Sequence, residues 1–276
     1  MSSNLILGGA QLGLNYGVTK NNDYFCKQNS QEILNCAKSL GIKMVDIAVD
    51  YGDIFGIIND INPGLGVISK LKLLGKNFPR MGLNQHDKIK FLKFILVHDA
   101  DLFDGSEKMC LKIGQFIKIC DEKNIDWGIS VYECETLKCF INNGFTPKLV
   151  QYPFNLLYEK DEIGDFCKHL DIQAHIRSVF LQGLLTINRR ENLPQEFFDN
   201  DTLINWLNWL KTKKIEPLSA CLRGDRVASK VKVIGVESSK QLESIVKFME
   251  GDIIDTSCLK TSADVDLLDP RKWILR

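Results

Sequence analysis

No excess of either charge sign marks this chain, in which 35 lysines and arginines balance 35 aspartates and glutamates over 276 residues. A neutral chain lacks the electrostatic footprint that nucleic acid or an anionic membrane face requires, so neither is expected as a partner. The basic residues between Lys211 and Lys214 read as a solvated helix end. No C-x-x-C pair occurs among the nine cysteines, Cys26, Cys36, Cys110, Cys120, Cys134, Cys139, Cys167, Cys221 and Cys258. Their odd count and scattered spacing exclude a disulfide framework, and several fall on apolar helix faces where a thiol behaves as a small hydrophobe. With no signal peptide ahead of the first strand, the expectation is a reducing cytoplasm. His86, His98, His169 and His175 have no partners at metal-ligand spacing, so no metal is expected. No apolar stretch is long enough to span a bilayer. No linker or low-complexity tract divides the chain, and a single domain over residues 1–276 is expected.

What is present is alternation. Short apolar, β-branched runs predict strands at Leu5 to Gly8, Met44 to Ile47, Gly66 to Ser69, Phe94 to Val97, Trp127 to Ser130, Lys148 to Gln151, Ala174 to Val179 and Lys232 to Gly235. Helical stripes lie between them. Ile33, Leu34, Ala37 and Leu40 follow the expected cap Ser30, and Gly41 closes that helix. Met109, Ile113, Phe116, Ile117 and Cys120 form another stripe, and Leu242, Ile245, Val246 and Met249 a third after Ser238-Ser239. Leu203, Trp206, Leu207, Trp209 and Leu210 predict a helix that covers the barrel.

Eight such units predict a closed α/β architecture, the (β/α)8 TIM barrel, with an open doubly wound sheet as the competitor. Polar residues at the ends of successive strands favour the barrel. Asp46, Lys70, His98, Ser130 and Gln151 would converge on one mouth if the sheet closes, and would spread along a line if it does not.

Three of these residues, with Tyr51 in the loop after Asp46, suggest chemistry. A lysine beside an aspartate from the preceding strand forms a buried ion pair. An ordinary tyrosine titrates near pH 10, and a neighbouring ammonium stabilises its phenolate, which suits Tyr51 to general acid or base work. Asp46 would hold Lys70, and His98 would donate to a carbonyl oxygen as it gains negative charge. None of the four serves here as metal ligand or covalent nucleophile. Hydride transfer remains, and that demands a cofactor.

The same residues carry a resemblance to the aldo-keto reductase superfamily over nearly the whole chain. Leu7 to Gly17 resembles the family's first strand and loop. The stretch Gly41 to Gly52, with Asp46-Ile-Ala-Val-Asp-Tyr51-Gly, resembles its Asp-Thr-Ala-x-x-Tyr-Gly motif. Ile68-Ser-Lys70 and Leu96-Val-His98-Asp99 match the stretches with the family's lysine and histidine. The resemblance implies a catalytic tetrad of Asp46, Tyr51, Lys70 and His98, with Tyr51 as proton donor to a small-molecule carbonyl substrate. It also implies an NAD(P)H site in which Gly9 and Asp46 take part. Ser130 and Gln151 would contact the nicotinamide carboxamide. Arg177 stands where an aromatic side chain often stacks on nicotinamide, and a guanidinium plane can stack too. Ser178 and Gly183 would lie along the pyrophosphate, and Gly235, Glu237 and Gln241 at the adenosine end.

Several positions depart from the family pattern. The proline usual before Gly235 is missing, and Glu237 stands where NADP-specific members place a base. A carboxylate there accepts from a ribose 2′-hydroxyl and repels a 2′-phosphate, which points to NAD or to a relaxed preference. Lys240 lies near enough to admit NADP. The family's Tyr-Gly-x-Ser-Glu continuation is replaced by Tyr51-Gly-Asp-Ile-Phe55, and the closing Asp269 to Trp273 resembles compact members of sugar and surface-polysaccharide metabolism. A sugar-like carbonyl is the substrate this implies, with Tyr16, Tyr51, His98 and Asn155 as candidate contacts. Two other functions remain open: a non-catalytic nucleotide-binding regulator, and a Schiff-base lyase using Lys70.

Overall fold

The computed structural model describes residues 4–13, 27–75, 86–262 and 264–273; Tyr16 and Cys26 lie outside them. The eight strands are β1 (Leu5–Gly8), β2 (Met44–Ala48), β3 (Gly66–Leu71), β4 (Leu92–Val97), β5 (Asp126–Ser130), β6 (Leu149–Pro153), β7 (Gln173–Arg177) and β8 (Val231–Gly235). Each pairs in parallel with its successor, and β8 returns to β1, with Leu5 opposite Lys232 and Gly8 opposite Gly235. The sheet is a closed (β/α)8 barrel, which excludes the open doubly wound sheet.

Parity along the strands decides what the barrel encloses. Ile6, Ile68, Phe94, Leu96 and Leu149 form an inner cluster, with Met44, Val231 and Val233 packed on it. Their neighbours in sequence, among them Val45, Val67, Ile95, Ile129, Val150, Ile176 and Ile234, belong to the larger core between sheet and helices. Successive strand residues face opposite sides. Two residues beyond the inner layer, the inward register therefore reaches Gly8, Asp46, Lys70, His98, Gln151 and Gly235. Ser130 and Arg177 share that parity, because Ile129 and Ile176 face the helices.

Strand limits match the sequence expectation to within two residues at all eight strands. At β7 the expected run to Val179 stops at Arg177, because Ser178 takes a left-handed conformation, φ 58°. Leu181, Gln182 and Gly183 follow with φ of 47°, 53° and 96°. Left-handed non-glycine residues each cost on the order of 1–3 kcal/mol and persist only where surrounding structure enforces them.

The helices are closed by local signals. In the helix Lys27–Ser39, Ile33, Leu34 and Ala37 face the core. Gly41, φ 77°, lets the Ile42 amide reach the Ala37 carbonyl at 3.0 Å and its own amide the Lys38 carbonyl at 3.0 Å. This is the paired-bond glycine stop that satisfies the last carbonyls. Ser30 is not the cap. It lies inside the helix, buried, with its hydroxyl 3.4 Å from the Leu12 carbonyl. Ser238 does cap the helix Ser239–Phe248, accepting from the Gln241 amide at 3.2 Å. The helix Asp201–Lys213 buries Leu203, Trp206, Trp209 and Leu210, with the two indoles stacked at 5.6 Å. Its aromatic face is part of the core, as a covering helix requires.

All eight described cysteines are unpaired. Burial pushes the thiols of Cys120 and Cys167 up to about 12, so both are inert apolar filler. Among the described residues no helix is long and apolar enough to cross a membrane, and no cluster is suited to hold a metal.

Two substitutions test the packing. Trp206→Ala should lower the unfolding free energy by about 3–5 kcal/mol. Ser238→Ala should lower it by about 1 kcal/mol, the worth of one cap. Denaturant titration reads both.

Candidate active site

The inward strand ends meet at a cavity of about 470 Å³. Its innermost polar group is a closed three-way network. Lys70 Nζ donates to Asp46 Oδ1 and, at 3.1 Å, to Gln151 Oε1, while Gln151 Nε2 donates to Asp46 Oδ2 at 2.8 Å. All three side chains are buried. Burial alone would drive the Lys70 ammonium to lose its proton. The Asp46 carboxylate and Tyr51 together outweigh that, and Lys70 is held above the ordinary lysine value.

Tyr51 reaches this network from the loop after β2. The Tyr51 amide bonds the Ala48 carbonyl at 3.0 Å, and Gly52 turns the chain with φ 57°. The turn is wedged against Gly13, where a Cβ would come within 1.8 Å of the Tyr51 carbonyl oxygen, so only glycine fits. Lys70 Nζ lies 5.5 Å from the centre of the Tyr51 ring.

His98, just past β4, lines the same cavity. Burial, then the charges of Lys70 and Arg177, lower its pKa to about 4, against the opposing pull of Asp50 and Asp46. The imidazole is therefore neutral near pH 7 and presents one N–H donor. Its Nδ1 stands 4.0 Å from Asp50 Oδ2, and Asp50 is itself held by Lys72 at 2.7 Å.

From this centre the cavity wall continues along Gly8 and Gly9, the turn Ser178 to Gly183, and the stretch Gly235 to Gln241. A side chain is excluded at Gly9, where a Cβ would meet the Asp46 carbonyl at 2.8 Å, while at Gly235 the space a Cβ would take is filled by the end of the Gln11 side chain. At Glu237 the main-chain amide donates to Gln241 Oε1 at 2.8 Å, and Asn29 Nδ2 donates to the Glu237 carbonyl at 2.9 Å. Burial holds the Glu237 carboxyl above its ordinary value.

Of the residues expected from sequence, the cavity brings together Gly9, Asp46, Tyr51, Lys70, His98, Gln151, Arg177, Ser178, Gly183, Gly235, Glu237 and Gln241. Two others do not line it. Ser130 is buried at the inward end of β5, and its hydroxyl makes no bond to a described residue. Asn155 is wholly buried and occupied with the main chain: Nδ2 donates to the Ser178 carbonyl at 3.3 Å and Oδ1 accepts from Leu157 at 3.0 Å. That bonding fixes the turn after β7 and leaves Asn155 no path to a substrate. Tyr16 falls outside the described residues.

Sequence reading missed Tyr132 and Arg271. Tyr132 lines the cavity, and two guanidiniums lie over its ring, with Cζ of Arg177 at 4.1 Å and of Arg271 at 3.2 Å from the centre. Arg271 also bonds Asp269 in bidentate fashion and Asp101 at 3.1 Å. Tyr132 was available as the second residue past a strand end. Arg271 had no local signal, because its partner Asp101 lies 170 positions away.

No family model and no curated protein matches the chain in sequence. Solved structures do match its fold. An aldo-keto reductase from Bacillus halodurans in its holo form superposes with a TM-score of 0.68 at 15% identity, covering 91% of this chain and 88% of that one. An aldo-keto reductase complexed with NADPH gives 0.67 at 15% identity, over 98% and 87%. An aldo-keto reductase from Pseudomonas aeruginosa gives 0.62 at 17% identity, over 90% and 89%. The chain has the barrel fold that these aldo-keto reductases share.

Lys70→Met leaves the buried Asp46 carboxylate without its cation and should cost about 3–5 kcal/mol. Adding Asp46→Asn should recover part of that loss, as a double-mutant cycle in urea would read. A pH test follows from His98 and from His175, inside the barrel and lowered to about 4 by burial. An unfolded chain takes up protons at both near pH 6.5, while the folded chain does so only near pH 4. Stability from this source is full above pH 6.5 and falls as the pH drops toward 4. The melting temperature should fall between pH 7 and 5, and His175→Gln should flatten that fall.

Proposed function

We propose that this protein is an aldo-keto reductase: an NAD(P)H-dependent oxidoreductase that converts a carbonyl group of a small molecule to an alcohol. The observation that carries the reading is the buried Lys70–Asp46 pair, whose ammonium stands 5.5 Å from the Tyr51 ring on a cavity wall shared with His98. A burial this complete is costly for a charged pair without a task.

The site fits a nicotinamide dinucleotide. Ser130 ends β5 on the same inward parity as Gln151, and we assign its hydroxyl to the carboxamide. Gln151 has both ends committed to Lys70 and Asp46 and keeps one free N–H for the same group. Gly9, Gly183 and Gly235 give smooth wall for a dinucleotide, with Ser178 along the pyrophosphate and Glu237 and Gln241 at the adenosine end. Asp46 and Arg177 flank the nicotinamide end. When bound, the reduced nicotinamide supplies the hydride.

The chain's own residues do the rest. Neutral His98 donates its N–H to the carbonyl oxygen and orients the substrate, stabilising the charge that develops there. Tyr51 gives that oxygen its proton. The Lys70 ammonium stabilises the phenolate left behind, and Asp46 keeps Lys70 in place and charged. This same protonation argues against a Schiff-base role for Lys70, since an ammonium is no nucleophile. A sugar or sugar derivative is the substrate class we favour, from the compact architecture and the Asp269–Trp273 ending.

Tyr51→Phe should reduce kcat by roughly 10²–10⁴-fold with aldehyde substrates, while dinucleotide affinity, read by fluorescence titration, stays within about twofold. Equal turnover in both proteins would remove Tyr51 as proton donor. Tight dinucleotide binding with no turnover of any carbonyl by wild type would favour the regulatory binder instead. Glu237 should disfavour a 2′-phosphate, so NADH is expected to bind at least as tightly as NADPH, and Glu237→Gln should tighten NADPH selectively.

A further inference from the structure

We propose that Arg177 is an anion-binding residue of the substrate site, so that the carbonyl compound reduced here carries a carboxylate or phosphate group. This rests on the reading of the cavity as a carbonyl-reducing site.

Unsatisfied donors single out this residue. Among the described residues, every other cation around the catalytic centre already has its acceptor. Lys70 is held by Asp46 and Gln151, Lys72 by Asp50, and Arg271 by Asp269 and Asp101. Arg177 is the exception. Its guanidinium carries five N–H donors in a planar fork, and none is bonded to a described residue. What it does have is an aromatic plane: Tyr132 lies under it at 4.1 Å. Contact with the ring holds the guanidinium in place without giving its fork an acceptor oxygen, and that fork is what recognises a carboxylate or phosphate in two-point fashion.

Position supports the same conclusion. Arg177 ends β7 on the inward register, half-buried, and lines the cavity with Tyr51 and His98. Its charge is felt at both His98 and Lys70, so an anion bound to it would lie within electrostatic reach of the catalytic centre. Of the carboxylates that line the cavity, Asp46 is committed to Lys70, and Glu237 lies after β8 on the stretch assigned to adenosine. Asp50 is neutralised by Lys72. Arg271 brings a second cation to the Tyr132 ring, but it arrives already neutralised by two carboxylates. It therefore braces the platform and leaves the recognition edge to Arg177.

The test is a set of matched pairs with wild type, Arg177→Met and Arg177→Lys. One arm compares 4-oxobutanoate, 5-oxopentanoate and 4-formylbenzoate with their methyl esters. The other compares glyceraldehyde 3-phosphate with glyceraldehyde. The readout is the ratio of kcat/KM, anion over neutral partner, in which any loss through the dinucleotide cancels. Wild type should favour the anion by about tenfold or more in at least one arm, and the arm identifies carboxylate or phosphate. Arg177→Met should bring that ratio to about one, and Arg177→Lys should keep part of it. A wild-type ratio near one in both arms overturns the proposal while the carbonyl-reductase reading stands. So does a ratio that survives in Arg177→Met, or a variant that only weakens NADPH in a fluorescence titration. Failure of wild type to reduce any member of any pair would sink the carbonyl-reductase reading and this proposal together.

Discussion

The buried ion pair between Lys70 and Asp46 is the constraint around which the site is arranged. Two charges removed from water need each other and need their remaining hydrogen-bond capacity filled. Gln151 does this from across the barrel, bonding both partners at once. That geometry requires three strands, β2, β3 and β6, to bring inward residues to one level, which a closed barrel does and an open sheet does not. The pair thus ties the chemistry of the mouth to closure of the sheet.

Around the fixed ammonium, the other groups take their states from simple electrostatics. The charges of Lys70 and Arg177 add to burial in keeping His98 neutral, so it acts as a donor without carrying charge of its own. Tyr51 faces the same fixed cation, with Lys70 Nζ 5.5 Å from the centre of its ring. The strained turn from Ser178 to Gly183 supplies wall beyond the centre, and Asn155 holds it from behind through the Ser178 carbonyl. Left-handed backbone at three non-glycine residues there is the kind of strain that binding sites keep when packing enforces it.

Much of this was legible in the sequence, for identifiable reasons. Asp46, Lys70 and His98 each follow a short apolar run by a fixed parity, so the period-two rule places them on the inner face once the barrel is assumed. Gly41 and Ser238 announced helix ends through chemistry that only those residue types supply. Other features carried no local signal. The end of β7 depends on a left-handed serine, a conformation that residue type does not announce. Ser30 resembled a cap but packs inward, its environment set by Leu12 far from the helix start. Asn155 looked like a substrate contact because it follows β6, and only the structure shows its amide filled by main chain. Arg271 reaches Tyr132 from the far end of the chain, and such long-range contacts are invisible to spacing.

Nitrogen-15 NMR titration of the lysine side chains tests the central claim most directly. The account predicts that Lys70, assigned by its loss in Lys70→Met, keeps its proton as the pH rises through the range in which ordinary surface lysines lose theirs. A Lys70 amine that deprotonates before the surface lysines would contradict it, and would point to a nucleophilic lysine in place of a fixed cation beside Tyr51.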